Sequence, residues 1–428
     1  MTTWQDGARA TLARHVDDAR LAGAFALIWH DGEVVLDEAA GYRDIACDNV
    51  MARDAIFQIA SMTKPVVSVA ALQLVDEGKI RLGDPIAKWL PEFANPRVLN
   101  DRTGLVDRTH PAARPITVDD LLTHRAGFGY AFAETGPIAK ALEPLVNNIL
   151  RPTWTPSQWL ANLATLPLLA DPGTRFIYGH STEILGCLIA RIDGGTLGQS
   201  LERRVLSPLG MRDTAFFVPP AKLSRLAHMY RRSADGFVDV TSVPEAPPLF
   251  EAGGGGLYST ATDYLAFARM LLGQGEIDGM RLLSPRAFER MTRNQLTARQ
   301  RALGGLGQAD FFAHTGFGYG VHLVVEPAPP LFAGAGAMSW GGIWGTSWRL
   351  DPANRLISLL FAQDCADTSS GPDRRAPEQT TPAAQLQAEI EQAAWGALTN
   401  RNGLDEGWVH LARRRRRGDP KRLTRVRR

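Results

Sequence analysis

Cysteine is nearly absent from this chain: Cys47, Cys187 and Cys365 are the only three in 428 residues. An odd number at such wide spacings gives neither a disulfide framework nor a zinc signature. Lysine is also scarce, with six residues against 41 arginines. No apolar run approaches the length of a membrane span. Met1 to Ala10 lack a basic segment followed by an apolar one, so no signal peptide is expected and a cytoplasmic, reducing location is the simplest assignment. No Gly-x-Ser-x-Gly occurs, which argues against an α/β-hydrolase elbow. No dinucleotide fingerprint follows a strand-like run. His124, His180, His314 and His322 show no metal-ligand spacing. Neither a cofactor nor a metal is therefore expected.

What is present looks globular. Hydrophobic residues make up 45% and charged residues 21%, a balance that supports a large core and excludes disorder over most of the length. The net charge of +2 conceals an asymmetry. Residues 413–428 hold ten Arg or Lys and one Asp, a net +9, whereas the preceding 412 residues hold 37 basic and 44 acidic groups, a net −7. Such a block reads as a solvated basic tail (401–428). No folded nucleic-acid-binding module accompanies it, so nucleic acid is not the expected partner.

Residues 4–21 carry Leu12, His15, Val16 and Ala19 at helical spacing. Two strand-like runs, 24–30 and 33–37, flank Asp31-Gly32, a strong hairpin signal. Residues 55–60 form a short apolar run into Ser61. From Met62 the pattern turns helical, with Val67, Ala70, Ala71, Leu74 and Val75 on one stripe and Gly78 at the stop. Ser61 falls where an N-cap is expected, and Pro65 in the first turn, where a missing N–H matters least. Residues 80–250 read as helix and loop. The run Gly253 to Gly256 lacks a following Gly-Lys-Ser/Thr and is a loop, not a phosphate cradle. Residues 259–272 are helical, strands follow at 318–326, 336–341, 345–350 and 355–362, and a last helix covers 382–397. The expected fold class is α+β: one antiparallel sheet built from about 1–79 and 251–400 and flanked by helices, with a mainly helical insertion at about 80–250. A site between the two parts is the natural expectation.

Ser61-Met62-Thr63-Lys64 is the motif with chemistry in it. Positions i and i+3 share a helix face, so Ser61 Oγ and Lys64 Nζ can meet at the helix start. A serine is a poor nucleophile until a neighbouring base takes its proton. With 16 serines and six lysines, chance predicts roughly 0.2 such spacings, and only one occurs. Taken alone, the motif is equally an N-cap serine followed by a solvated lysine.

Other segments give it a context. Ser-x-x-Lys at a strand-to-helix junction resembles the signature of the serine β-lactamase and penicillin-binding protein superfamily. Leu121-Leu122-Thr123-His124-Arg125-Ala126-Gly127 is similar to that group's LLTHTSG segment. Asp171 to Tyr178 resembles its PG-x-x-F-x-Y segment, and Leu257 to Asp263 its G-x-x-ST-x-x-D segment. The likeness spans roughly residues 10–397 and is nearest to family VIII carboxylesterases and the class C-like β-lactamases.

The resemblance implies a β-lactamase/transpeptidase-like fold and a Ser-Lys-Tyr hydrolase. Tyr178 becomes the third catalytic residue; without the family context it reads as a core tyrosine. The β-lactamase pattern Tyr-x-Asn is broken, because His180 stands at the asparagine position. Two segments compete for the family's Lys-Thr-Gly: His314-Thr315-Gly316, and Trp340-Gly341-Gly342, which resembles the esterases' Trp-Gly-Gly. The second is favoured. The N–H groups of Ser61 and Ile343 would then form the oxyanion hole. His180, Trp340, Gly341, Gly342 and Trp344 would line the substrate site, although both tryptophans also suit ordinary core packing. With Trp340 in place of the lysine, the implied substrate is a small neutral ester cleaved through an acyl-enzyme. The alternatives are a β-lactamase, a D-amino-acid peptidase or amidase, an acyltransferase, and a non-catalytic sensor domain.

Overall fold

The computed structural model describes residues 3–328, 332–365 and 381–399; the basic tail at 401–428 lies outside them. The chain opens with α1 (Trp4–Asp17), capped by Thr3, whose hydroxyl accepts from the Asp6 N–H. Then come β1 (Gly23–His30), β2 (Glu33–Asp44) and β3 (Asn49–Val50). The turn between β1 and β2 places Asp31 at φ 52° and Gly32 at φ 107°. Both fall in the left-handed region that a tight hairpin turn demands, which explains the Asp-Gly pair.

Helix α2 (Thr63–Asp76) follows, then α3 (Gly136–Leu150), α4 (Pro156–Ala164), α5 (Ser181–Asp193) and α6 (Ala261–Leu272). The chain returns to the main sheet through β4 (Thr315–Phe317), β5 (His322–Val324), β6 (Met338–Gly342), β7 (Thr346–Asp351) and β8 (Leu356–Ala362), and α7 (Pro382–Leu398) closes the described part. That return comes later than the boundary near 251 drawn from sequence. Most of the intervening stretch is helix and loop, and Tyr258–Ser259 pairs with Phe57–Gln58, with a bridge from Tyr258 to Ala215, outside the main sheet.

The eight strands are ordered β4-β5-β6-β7-β8-β1-β2-β3, every neighbouring pair antiparallel. The two ends of the chain meet at its centre, where Leu27 faces Leu359 across β1 and β8. Strand periodicity sorts their side chains. Ala24, Ala26 and Ile28 join Leu360, Leu12, Leu386 and Trp395 beneath α1 and α7. Phe25, Leu27 and Trp29 face the main core with Phe57, Trp348 and Phe361.

Helix α2 is the pillar of that core. The sequence suggests one apolar stripe, yet Val66, Val69 and Leu72 are as buried as Val67, Ala70 and Ala71. A helix apolar on nearly all sides is one enclosed by protein. The first turn of this pillar carries the chemical residues.

Candidate active site

Ser61 is the middle residue of a 3-10 turn, Ala60–Met62, and Met62 rather than Ser61 caps α2. The reason is local. Ala60 adopts φ 42°, a conformation that costs a non-glycine residue of order 1–3 kcal/mol. It turns the chain sharply from the Phe57–Gln58 strand into the helix, so the serine side chain projects from the turn. Neighbours hold this turn: the Ile59 N–H donates to the Leu257 carbonyl at 3.0 Å, the Leu257 N–H donates to Thr63 Oγ1 at 3.1 Å, and Tyr264 Oη donates to the Met62 carbonyl at 3.0 Å. The Leu257 to Tyr264 segment therefore clamps the backbone around Ser61.

Lys64 lies one turn on. Its Nζ donates to Ser61 Oγ at 3.0 Å and to the Gly254 carbonyl at 2.5 Å, and the side chain is only 1% exposed. It also sits 4.7 Å from the ring centre of Tyr178 and 5.4 Å from that of Tyr130, where ring quadrupoles favour a cation. A side chain on Gly254 would collide with the Glu183 carboxylate, so glycine is what lets this carbonyl reach the lysine.

Tyr178 completes the cluster, its Oη donating to Ser61 Oγ at 2.7 Å. Two further motifs position it. The Ile177 N–H donates to the His124 carbonyl at 2.7 Å, and the His124 ring centre lies 5.0 Å from that of Tyr178. Gly179 packs so closely on Phe128 and Gly129 that any side chain would strike their backbone. Burial, with Lys64 beside it, holds the His124 imidazole well below its usual range; it is a neutral brace.

Trp340 lies on β6 with its ring centre 5.4 Å from that of Tyr178. Gly342 presses against the strand end before the serine, since a side chain there would collide with Thr346 Oγ1 and the Ile59 carbonyl. Trp340-Gly341-Gly342 therefore runs beside Ser61, whereas Thr315 and Gly316 sit on the edge strand β4, two strands away. Ile343 and Trp344 occupy the turn after β6; Ile343 is half exposed, and its N–H makes no hydrogen bond among the described residues.

Of the two places open to His180, contact with substrate or the pocket wall, the structure shows the wall. His180 is fully buried, with its ring 4.6 Å from Tyr130 and 5.3 Å from Trp159. It therefore backs the wall of the site instead of facing a substrate. Neither ring nitrogen has a hydrogen-bond partner among the described residues, and burial, aided by Lys64, pushes the imidazole down to about 3 from 6.5.

Sequence reasoning missed three features: the Gly254 carbonyl, the Ala60 backbone, and a buried pair in which Tyr130 Oη donates to Glu183 Oε1 at 2.7 Å. Burial raises the Glu183 carboxyl. The glycine run was the one visible signal.

A profile of the β-lactamase family, described as Beta-lactamase, matches residues 8–413. The chain belongs to the β-lactamase family. An uncharacterized protein of Mycobacterium tuberculosis is 44% identical over 371 residues, 85% of this chain and 91% of its own. Esterase EstB of Burkholderia gladioli is 30% identical over 387 residues, covering 83% of this chain and 89% of that one. In fold, unliganded simvastatin synthase (LovD) from Aspergillus terreus superposes with a TM-score of 0.74 at 22% identity, over 94% of this chain and 100% of that one. This β-lactamase family member is thus a serine hydrolase-type enzyme with relatives on the esterase side. Among the described residues, no helix is long and apolar enough to cross a membrane. No group of three His, Cys, Asp or Glu among them is placed to hold a metal.

The burial of His180 has a consequence for stability. Between pH 6.5 and about 3 the unfolded chain binds a proton that folded His180 refuses, so this residue makes stability fall as pH falls, by at most about 1.4 kcal/mol per pH unit. His124 acts in the same direction. Asp364, raised by burial from 3.8 to about 6, acts oppositely between those values, as does Glu183 with its raised carboxyl. His180→Leu should therefore flatten the acid side of the profile. Urea midpoints measured from pH 6.5 to 4.5 should decline less steeply in the variant than in the parent; parallel slopes would mean that His180 takes up its proton while folded.

Proposed function

We propose that the protein is a serine carboxylesterase that cleaves small esters through an acyl-enzyme on Ser61. The observation that carries this reading is the convergence on Ser61 Oγ of Lys64 Nζ at 3.0 Å and Tyr178 Oη at 2.7 Å. Ser61 Oγ attacks the ester carbonyl and gives its proton to Lys64, which acts as the neutral amine and becomes the ammonium. The Ser61 and Ile343 N–H groups stabilise the tetrahedral oxyanion. Collapse breaks the bond to the alcohol oxygen, which takes a proton from Tyr178, and Lys64 returns the proton to Tyr178. A water molecule then attacks the acyl-enzyme by the same relay and releases the acid. An alcohol in place of water would give acyl transfer. No cofactor enters any step.

Trp340 favours esters over β-lactams, because an indole stands where the superfamily's β-lactamases carry the lysine of Lys-Thr-Gly. Trp340, Gly341, Gly342 and the half-buried Trp344 supply a largely apolar wall, with His180 supporting it from behind.

The reading is tested by covalent trapping. Diethyl p-nitrophenyl phosphate should release one equivalent of p-nitrophenolate per chain and leave its diethylphosphoryl group on the peptide that contains Ser61, read by mass spectrometry. A label on another residue, or none, would count against Ser61 as the nucleophile.

A further inference from the structure

We infer that the cavity beside Tyr178 is an anion subsite, which takes a carboxylate carried on the alcohol part of the substrate. The inference rests on the ester-cleaving reading of Ser61, Lys64 and Tyr178. The cavity has a volume of about 300 Å³ and is lined by Arg102, Glu134, Arg175, Phe176, Tyr178 and the loop Leu303–Ala309. That is the lower end of the range for small-molecule pockets.

The charges on its wall do not balance. Glu134 is almost fully buried, and Arg102 grips it with two hydrogen bonds, Nε to Oε2 at 2.8 Å and Nη2 to Oε1 at 2.5 Å. That carboxylate is committed. Arg175 makes no hydrogen bond or ion pair with any described residue, and its Nε is buried without a partner. Two guanidiniums thus face one carboxylate, leaving one positive charge uncompensated. Burial, and then repulsion from Arg102, outweigh the attraction of Glu134 and hold the Arg175 guanidinium below its ordinary range, but arginine keeps its proton. A concave wall with a spare guanidinium fork matches a carboxylate, which can accept two parallel N–H bonds.

The side of the scissile bond follows from Tyr178. It lines the cavity, and in the proposed mechanism it hands its proton to the departing oxygen. What fills the cavity is therefore attached to that oxygen, so the substrate class is an acylated hydroxy acid. Phe176 gives the cavity an aromatic face for the carbon skeleton.

The test compares 3-butyryloxybenzoate with its methyl ester, two substrates alike except for charge on the alcohol part. Rates are normalised to alkaline hydrolysis of each. The wild-type full chain should favour the acid in kcat/KM by about tenfold or more, the scale of one charge-assisted hydrogen bond. Arg175→Gln should bring the ratio near one, and Arg175→Lys should restore part of it. A wild-type ratio at or below one, with both esters turned over, overturns the subsite and leaves the esterase reading standing, whether or not the variants fold. If no ester is turned over, calorimetric binding of 3-hydroxybenzoate and its methyl ester decides. Preference for the acid upholds the subsite while the esterase reading falls, and absence of preference overturns both.

Discussion

Lys64→Met should lower kcat/KM for p-nitrophenyl butyrate by about three orders of magnitude, the scale of a lost general base, without unfolding the protein. The side chain is enclosed and, among the described residues, its Nζ reaches only the Ser61 hydroxyl and the Gly254 carbonyl at hydrogen-bond distance. Methionine fills nearly the same space. It leaves one buried carbonyl unpaired, a cost of about 1–3 kcal/mol. It also removes a buried polar amine, whose desolvation cost is of similar size. These effects oppose one another, so the thermal midpoint should hold or rise. Ser61→Ala should cost as much as Lys64→Met, and the double variant little more than either, because residues that act as a unit lose their effect together. Residual activity above a tenth in Lys64→Met would mean that another group takes the Ser61 proton. Additive losses in the double variant would separate the two residues into independent roles.

The sequence made the local parts of this molecule readable. Asp31-Gly32 announced the hairpin because both residues must adopt positive φ. Lys64 was placed beside Ser61 by helical spacing alone, and 3.0 Å is the distance found. The strand-like runs at 336–341, 345–350 and 355–362 correspond to strands at 338–342, 346–351 and 356–362. Features created by contacts across the chain were not readable. The bond from Lys64 to Gly254 joins residues 190 apart, and that from Tyr130 to Glu183 residues 53 apart; no local period announces either. His180 shows the same limit from the other side. By position it belongs to a substrate-facing pattern, yet Trp159, itself stacked on Phe250 at 4.8 Å, encloses it with Tyr130. Burial of a single side chain is decided by such distant partners, which spacing within one motif does not encode.

Tyr178→Phe should reduce kcat/KM by about 10² to 10⁴-fold, with a loss that depends on the leaving group. The substitution keeps the ring, whose centre lies 5.0 Å from that of His124 and 5.4 Å from those of Tyr130 and Trp340, so packing around it is preserved. It removes only the hydroxyl that donates to Ser61 Oγ at 2.7 Å. If that hydroxyl delivers the proton to the departing oxygen, its absence matters little for p-nitrophenolate, a weak base that leaves unprotonated. It matters far more for ethanol, which leaves only when it receives a proton. The decisive measurement is therefore the ratio of losses for ethyl butyrate and p-nitrophenyl butyrate, expected to be about tenfold or more in favour of the ethyl ester losing more. Equal losses for the two esters would move Tyr178 to the activation of Ser61, before the leaving group is touched. They would also remove the reason for assigning the alcohol part of the substrate to the cavity that Tyr178 lines.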